Sequence, residues 1–292
     1  MKDRDPRKGP TPAEDVKTQP PPGVESGLEP RADHGEESYR GSDRLTGLKA
    51  IVTGGDSGIG RAVALAFARE GADVAISYRA EVEDEDARET RRLVQEAGRR
   101  CFVRRFDVGD AAACKGFVDA VVGEFGGLDI LVNNAAEHTM RESITDIPPE
   151  QLERTFRTNI FGLFFMIQAA LPHMEAGGVI LNTGSVTGLK GHPVLLDYAS
   201  TKGAVHVLTH SLAKNLSDRG IRVNCVAPGP VWTPLINSTF DEEHVREFGS
   251  STEWGRPAQP AELAPAYVFL ASADARYITG EIIGITGETT TR

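Results

Sequence analysis

Residues 48–60 read Leu48-Lys-Ala-Ile-Val-Thr-Gly-Gly-Asp-Ser-Gly-Ile-Gly60, and the interpretation of the whole chain begins with this stretch. An apolar run ends at Thr53, glycines follow at positions 54, 58 and 60, and a run with helical spacing begins at Arg61. Glycines let a backbone turn sharply and approach a pyrophosphate closely, and the N–H groups that open a helix favour negative charge. The stretch therefore predicts a strand, a phosphate-binding turn and a helix, although a tight turn without a ligand also satisfies it.

Six further short apolar runs follow, separated by segments long enough for helices: ADVAIS, CFVRRF, LDILVN, GVILNT, IRVNCV and EIIGIT. Such alternation is typical of a parallel sheet that crossover helices bury on both faces. Residues 61–70 predict the first helix, with Gly71 as its stop, and Pro148-Pro149 marks another helix start. The prediction is an α/β fold, a doubly wound (Rossmann) three-layer sandwich with a seven-stranded parallel sheet.

The first 46 residues differ in composition from the rest of the chain. They hold seven of the 17 prolines and are rich in charged residues, with few large apolar side chains. Such a composition buries too little surface to offset the entropy of ordering the chain. We expect residues 1–46 to form a Pro-rich charged extension, partly disordered or an extended arm, and residues 47–292 to form a single domain.

Charge and cysteine usage exclude several classes of function. The chain has 32 basic and 42 acidic residues, a net charge of −10, whereas binding to a nucleic-acid backbone needs a basic face. The three cysteines show no CxxC spacing, and His206 and His210 lack a carboxylate cluster, so neither disulfides nor a metal site are indicated. No apolar stretch reaches the roughly 20 residues of a membrane span. We expect a cytoplasmic protein without nucleic-acid or membrane partners.

Polar residues follow the third and fourth predicted strands. Asp107 comes after one, and Asn133 ends the other, just before Asn134 and Ala135. Ligands of open α/β sheets bind at the carboxyl ends of the strands, which makes these residues candidates for a binding site. Because Asp and Asn are common in turns and caps, a local structural role explains each of them equally well.

The segment Tyr198-Ala-Ser-Thr-Lys202 is the strongest chemical signal in the chain. Residues four apart on a helix share a face, which brings the phenol and the ammonium together. A nearby cation lowers the pKa of a tyrosine from its ordinary value of about 10 and makes it a usable general acid and base. Ser185 lies upstream at the end of the fifth predicted strand, and Asn159 lies in a predicted helix. Taken alone, the Tyr-Lys spacing also arises by chance.

These motifs, in this order and at this spacing, resemble the short-chain dehydrogenase/reductase family over residues 47–287. They are TGGDSGIG, Asp107-Val108, NNAA, Asn159, Ser185, YASTK and Pro228-Gly229. The extension and the segment after it are similar to a subgroup that contains glucose/ribitol dehydrogenase homologues and bacterial stress-associated oxidoreductases. Ala136 stands where the family usually has glycine.

The resemblance implies a role for each of four catalytic residues. Tyr198 exchanges a proton with the carbonyl or alcohol oxygen while hydride passes to or from a nicotinamide. Lys202 lowers the pKa of Tyr198 and holds the nicotinamide ribose, and Ser185 stabilises charge on the reacting oxygen. Asn159 holds a water that links Lys202 to solvent. The substrate is then an aldehyde, ketone, sugar or polyol.

The resemblance also implies which residues bind the cofactor. They come from the glycine-rich loop, the ends of the second to fourth strands, the catalytic helix and the segment after the sixth strand: Gly54, Asp56, Ser57, Gly58, Ile59, Gly60, Tyr78, Arg79, Asp107, Val108, Asn133, Ala135, Tyr198, Lys202, Pro228, Gly229, Val231 and Thr233. No acid ends the second strand to bind a ribose 2′-OH, and Arg79 suits a 2′-phosphate, which favours NADP over NAD. Asp56 and the acidic run at residues 81–86 argue the other way.

Substrate contacts are predicted from Ser185, His192, Leu195, Tyr198 and Trp232. For Trp232, anchoring of its loop onto the core is an equally good interpretation. The expected partners are a small carbonyl or alcohol substrate and further copies of the chain in a homotetramer or dimer. A catalytically silent dinucleotide-binding or structural protein on the same fold is the alternative, because a fold does not fix a function.

The similarity to the subgroup extends into the N-terminal region. It implies that part of the extension lies across the core or a neighbouring subunit. Gly23, Leu28, Pro30 and Tyr39 are the predicted anchors, and about 20 residues before them form a free end.

Overall fold

The computed structural model describes residues 5–289, so residues 1–4 and 290–292, at the two ends of the predicted regions, lie outside it. All seven predicted strands are present, and every pairing between them is parallel. They are β1 (Lys49–Thr53), β2 (Asp73–Tyr78), β3 (Cys101–Arg105), β4 (Ile130–Asn133), β5 (Val179–Thr183), β6 (Arg222–Pro228) and β7 (Ile282–Ile285). The order across the sheet is β3-β2-β1-β4-β5-β6-β7, which confirms the doubly wound fold.

Ten α-helices lie among the described residues, and those between the strands cover both faces of the sheet. They are α1 (Gly58–Arg69), α2 (Asp84–Glu96), α3 (Ala111–Phe125), α4 (Pro149–Phe156), α5 (Gly162–Ala170), α6 (Thr187–Lys190), α7 (Leu196–Asn215), α8 (Pro234–Thr239), α9 (Glu242–Arg246) and α10 (Pro260–Ala271). A π-helix, Arg157–Phe161, joins α4 to α5. The helix start predicted at Pro148-Pro149 is confirmed, because α4 begins at Pro149. Within residues 5–289 no helix is long and apolar enough to cross a membrane.

The core has two layers, one on each face of the sheet. Val52 and Val74 face α1 and α10, whereas their neighbours Ile51 and Ala75 face α3, α5 and α7. All four side chains are fully buried, as expected where successive residues of a strand point to opposite faces and both faces are covered. Strand order reverses between β1 and β4, which opens a crevice at the carboxyl ends of the strands, where such sheets bind ligands.

Residues 5–46 pack against the rest of the chain, and we call this segment the arm. Leu28 is buried, and the Pro30 carbonyl accepts a hydrogen bond from Trp232 Nε1 at 2.7 Å. Tyr39 Oη donates to Glu70 Oε1 at 2.5 Å. Three predicted anchors therefore make the expected kind of contact.

The contacts of the arm begin earlier than the predicted free end of about 20 residues allows. Arg256 Nε donates to the Pro6 carbonyl at 3.0 Å, and Asn237 Nδ2 donates to the Lys17 carbonyl at 2.9 Å. Val16 is 4% exposed. Composition alone missed these contacts because the partners lie more than 200 positions further along the chain.

Candidate active site

The glycine-rich loop joins β1 to α1 in a conformation that larger residues cannot adopt. Gly54 and Gly58 have φ of 60° and 48°, in the left-handed region that favours glycine. A Cβ on Gly60 would lie 1.8 Å from the Gly54 carbonyl oxygen. Asn134 Nδ2 donates to the Thr53 and Gly54 carbonyls at 3.1 and 3.0 Å and fixes the loop from the side. The loop is thus a preformed turn in front of a helix N-terminus.

A cavity of about 660 Å³ opens above this loop, at the carboxyl ends of the strands. Most predicted site residues line it: Gly54, Asp56, Ser57, Gly58, Ile59, Tyr78, Arg79, Val108, Ala135, Ser185, His192, Leu195, Tyr198, Lys202, Pro228, Gly229, Val231 and Thr233. The structure therefore brings residues from the whole length of the domain to one site.

Three residues predicted to contact the cofactor do not line the cavity. Asp107 accepts a hydrogen bond from the Gly109 N–H at 2.8 Å, a local turn contact. Asn133, the last residue of β4, donates through Nδ2 to Asn182 Oδ1 at 3.0 Å inside the sheet. Gly60 lies one turn into α1, where it allows close packing on the loop. In this structure the three residues shape the turns around the cavity, and their contact with a cofactor stays a prediction.

Trp232, predicted to contact the substrate, lies outside the cavity wall. Its side chain is 1% exposed and donates to the Pro30 carbonyl. The indole therefore anchors the segment after β6, as the alternative interpretation held, but it anchors this segment to the arm and not only to the core.

Ser185, Tyr198 and Lys202 meet at the centre of the cavity. Ser185 follows β5, while Tyr198 and Lys202 lie one turn apart on α7. Lys202 Nζ is 5.5 Å from the centre of the Tyr198 ring and donates to the Thr183 carbonyl at 2.7 Å. Ser185 Oγ accepts hydrogen bonds from Thr187 N at 3.1 Å and Thr187 Oγ1 at 3.0 Å. Two accepted bonds occupy both lone pairs of a hydroxyl, so the O–H of Ser185 is left to donate.

Burial dominates the protonation of this group. It raises the pKa of Tyr198 to about 12, and a hydrogen bond with Ser185 opposes the rise. Burial also lowers the pKa of Lys202 to about 8, an effect that Cys225 opposes. Both groups lie away from water, so for each of them burial favours the neutral form.

Asn159 lies behind the cavity wall, in the π-helix between α4 and α5. Its Oδ1 accepts from the Glu137 N–H at 2.9 Å, and its Nδ2 donates to the Glu137 carbonyl at 2.9 Å and to Thr201 Oγ1 at 3.1 Å. Single π-turns inside helices are frequent at functional sites. In this structure Asn159 ties the segment after β4 to the catalytic helix α7.

His138 is a cavity residue that the sequence interpretation missed. Its ring lies edge-on to Tyr198, with ring centres 5.0 Å apart, and a similar contact to Phe240 spans 5.5 Å. Burial lowers the pKa of His138 to about 3, with help from the Lys202 charge, so the ring is neutral. His192 and Leu195 line the same part of the cavity. The position of His138, five residues after β4, was the available signal.

The end of β2 carries charge of both signs. Arg79 forms an ion pair with Glu137, and Tyr78 Oη donates to Asp84 Oδ1 at 2.8 Å. Asp56 and Glu83 line the same region of the cavity. No group of three or more potential metal ligands occurs in the described part of the chain, residues 5–289.

The arm reaches the site at the start of α1. Glu25 Oε1 accepts from the Gly58 N–H at 2.6 Å, and His34 Nε2 lies 2.9 Å from the same oxygen. Pro21 and Pro22 form part of the cavity wall. The extension thus contributes to the site, which the sequence did not indicate.

A family model described as Enoyl-(Acyl carrier protein) reductase matches residues 54–287. The chain belongs to the short-chain dehydrogenase/reductase family of oxidoreductases. Its similarity to the subgroup is confirmed by relatives of closely matching length. The uncharacterized oxidoreductase YhdF of Bacillus subtilis (strain 168) is 53% identical over 91% of each chain. General stress protein 39 of the same organism is 48% identical over 91% of this chain and 92% of that protein. A protein named glucose and ribitol dehydrogenase from Daucus carota is 48% identical over 91% and 93%.

A solved structure of a member of this family is also similar to the chain. It is a short-chain dehydrogenase from Burkholderia cenocepacia J2315 in complex with NADP, with a TM-score of 0.79 and 34% identity. The match covers 84% of this chain and 98% of that one.

Proposed function

We propose that this protein is a nicotinamide-dependent oxidoreductase that interconverts a carbonyl and an alcohol, with Tyr198 as the general acid and base. The substrate class is an aldehyde, ketone, sugar or polyol, and the reaction acts on a CH–OH group. The observation that carries the proposal is the convergence of Ser185, Tyr198 and Lys202 on one cavity that the glycine-rich loop also lines. A silent binding protein would not need these three side chains together.

The residues present fit a dinucleotide. The crowded approach of Gly54 and Gly60 leaves no room for a Cβ, and the helix start that follows favours a pyrophosphate. The cavity is large enough for a cofactor and a small substrate. When bound, the nicotinamide ring supplies or accepts the hydride.

In this proposal three side chains of the site transfer the proton, stabilise the developing charge and hold the ribose. Tyr198 gives its phenolic proton to the carbonyl oxygen of the substrate, or takes it back in the alcohol-oxidising direction. Ser185, whose lone pairs are held by Thr187, points its O–H at that oxygen and stabilises the charge that develops there. Lys202 keeps two N–H donors besides the one bound to Thr183, and these serve the nicotinamide ribose and the proton path.

NADP is the favoured cofactor because Arg79 offers a guanidinium at the end of β2. The similar structure from Burkholderia cenocepacia holds NADP, and a relative from Arabidopsis thaliana is named NADPH-dependent aldehyde reductase 1, which supports this choice. The ion pair with Glu137 holds the guanidinium beside the cavity. NAD stays the second candidate.

The Arg79→Ala variant tests the cofactor choice. We expect the Kd of NADPH to rise about tenfold or more and that of NADH to change by less than about twofold, because a charged hydrogen bond to phosphate contributes roughly 1.5–3 kcal/mol. Fluorescence titration of each cofactor without substrate gives both constants. Arg105→Ala, which removes another cation near the end of β2, is the matched control. Equal losses for both cofactors would refute the assignment.

We further propose that the protein assembles as a homotetramer or dimer. Phe161 and Phe164 are 47% and 42% exposed and lie three residues apart around the junction of the π-helix with α5. Exposed aromatic residues grouped on one helix are typical of subunit contacts. We expect the double substitution Phe161→Ser and Phe164→Ser to lower the mass measured by light scattering, whereas Val82→Ser at another exposed apolar site leaves it unchanged.

A further inference from the structure

One carboxyl oxygen of Asp56, in the glycine-rich loop, is buried without a hydrogen-bond partner. Its backbone carbonyl is fixed by Arg61 Nε and Thr90 Oγ1, each at 2.9 Å. Its side chain is 3% exposed, and among the contacts of residues 5–289 the Oδ2 atom has no hydrogen-bond partner. A buried polar atom left unpaired costs free energy, so such an atom calls for a donor from a ligand or for a proton of its own.

Every element packed around Asp56 contributes charge, but the nearby cations are paired elsewhere. Arg61 donates to Asp86 of α2, and Arg79 pairs with Glu137. On the arm, His34 pairs with Glu25. The charged and titratable groups that face this region are Glu25 and His34 of the arm, Arg61 of α1, Tyr78 and Arg79 after β2, Glu83 of the following turn, and Asp86 of α2. Each of these cations is paired with another carboxylate, so the Asp56 carboxyl has no cation as a direct partner.

This environment favours the protonated acid. Burial, together with the charges of Glu83 and Asp86, raises the pKa of Asp56 to about 7, against hydrogen bonds from Ser57 and the backbone. One carboxylate oxygen of Glu83 accepts hydrogen bonds from the N–H groups of Ala80 and Arg79, at 2.6 and 3.2 Å. Burial raises the pKa of Glu83 as well, against these hydrogen bonds.

Asp56 also lies in the part of the cavity where the residues of dinucleotide folds distinguish NADPH from NADH. It lines the cavity with Ser77, Tyr78 and Arg79, at the carboxyl end of β2, where dinucleotide folds contact the ribose 2′ position. β2 itself ends without an acid. Asp56 is thus the carboxyl group that the glycine-rich loop contributes to this part of the cavity.

We propose that Asp56 selects between NADPH and NADH through its protonation state. The neutral acid donates a hydrogen bond to the 2′-phosphate of NADPH. The ionised carboxylate repels that phosphate and accepts a hydrogen bond from the 2′-OH of NADH. This inference rests on the proposed dinucleotide-dependent function, and it makes cofactor preference a function of pH.

The direction of the effect follows from the loss of the Asp56 proton. As pH rises through the pKa of about 7, Asp56 ionises, the Kd of NADPH increases and the Kd of NADH decreases or stays level. We expect the ratio of the NADPH Kd to the NADH Kd to rise about tenfold or more between about pH 6 and about pH 8.5.

Fluorescence titration of NADPH and NADH without substrate, across this pH range, tests the proposal. Asp56→Asn keeps the shape of the side chain but cannot ionise, so its Kd ratio should keep only the pH dependence that the 2′-phosphate itself contributes. Asp56→Ser is the second neutral variant, used if circular dichroism shows that the first is misfolded. Glu81→Gln removes an exposed carboxylate on the neighbouring turn and should behave as the wild type does.

The outcomes separate this inference from the proposed function. A wild-type ratio that rises with pH, together with a flattened ratio in the neutral variants, supports the proposal. Binding of both cofactors with a ratio that changes equally in wild type and Asp56→Asn overturns the role of Asp56 alone. Binding of neither cofactor at any pH overturns the proposed function as well.

Discussion

Tyr198→Phe is expected to lower kcat for carbonyl reduction by about 10²–10⁴-fold and to leave the cofactor Kd within about twofold of the wild-type value. In the proposed mechanism the phenol gives its proton to the substrate oxygen, and the substitution removes only that O–H. The proposed cofactor surface, made of the glycine-rich loop, Lys202 and the segment after β6, is unchanged by the substitution.

The measurement is NAD(P)H oxidation with a panel of small aldehydes, ketones and sugars, beside a binding titration of the same preparations. Tyr277→Phe is the control, because that hydroxyl is on a side chain 99% exposed and far from the chemistry. Equal turnover by Tyr198→Phe and wild type would show that the proton comes from another group. Tight cofactor binding with no turnover by the wild type on any substrate would favour the silent binding protein instead.

The protonation of Tyr198 shows one limit of reasoning from sequence spacing. The Tyr198 and Lys202 side chains were correctly placed on one face of α7, because helical geometry fixes neighbours four residues apart. Their pKa values depend on burial, which the spacing does not contain, and burial moves both values against the charged forms.

The strands and the glycine-rich loop could be predicted from the sequence because each depends on a local pattern of residues. The direction of a side chain at the end of a strand could not be predicted in this way. Asn133 is the last residue of β4 and points to Asn182, whereas Asn134, one position later, points to the loop. Since successive residues of a strand face opposite sides, an error of one position exchanges a loop contact for a sheet contact. The contacts of His138 and Trp232 depend on tertiary neighbours, and for His138 the sequence offered only its position after β4.

The arm is the part of the fold that composition described least well. Proline and charge normally indicate chain that cannot bury enough surface to fold. In this chain a few apolar residues attach the arm. Val16 and Leu28 are buried against the segment after β6, and Trp232 and Phe240 belong to the same cluster. Buried ion pairs complete the attachment, and they lead to the second large prediction.

Glu25→Gln is expected to lower the free energy of unfolding by about 3 kcal/mol near neutral pH, because it leaves a buried cation without its main partner. His34 is 3% exposed, with Nε2 at 2.9 Å from Glu25 Oε1 and Nδ1 at 3.0 Å from Glu36 Oε1. Both ring nitrogens face carboxylate oxygens, so the charged imidazolium is the form that satisfies both contacts.

The pH dependence of this loss has a definite sign. Burial by itself lowers the pKa of His34, but the charge of Glu25 and the hydrogen bonds to Glu25 and Glu36 outweigh it and raise the pKa from 6.5 to about 9. A pKa raised in the folded state stabilises the protein fully below the unfolded value, and this contribution disappears as pH rises through the folded value. The stability difference between wild type and Glu25→Gln should therefore be largest near pH 6.5 and shrink towards pH 9.

The same substitution also tests the proposed cofactor site, because the Glu25 carboxylate accepts the N–H of Gly58 at the start of α1, where the pyrophosphate is proposed to bind. Glutamine keeps an acceptor oxygen but loses the charge that holds the arm and the glycine-rich loop together. Urea unfolding at several pH values and cofactor titration at neutral pH measure the two effects, with the exposed arm residue Glu29→Gln as the matched control. If Glu25→Gln and Glu29→Gln unfold alike at every pH, the buried pair does not fasten the arm. A loss of stability with an unchanged cofactor Kd would instead show that Glu25 attaches the arm but does not affect cofactor binding by the glycine-rich loop.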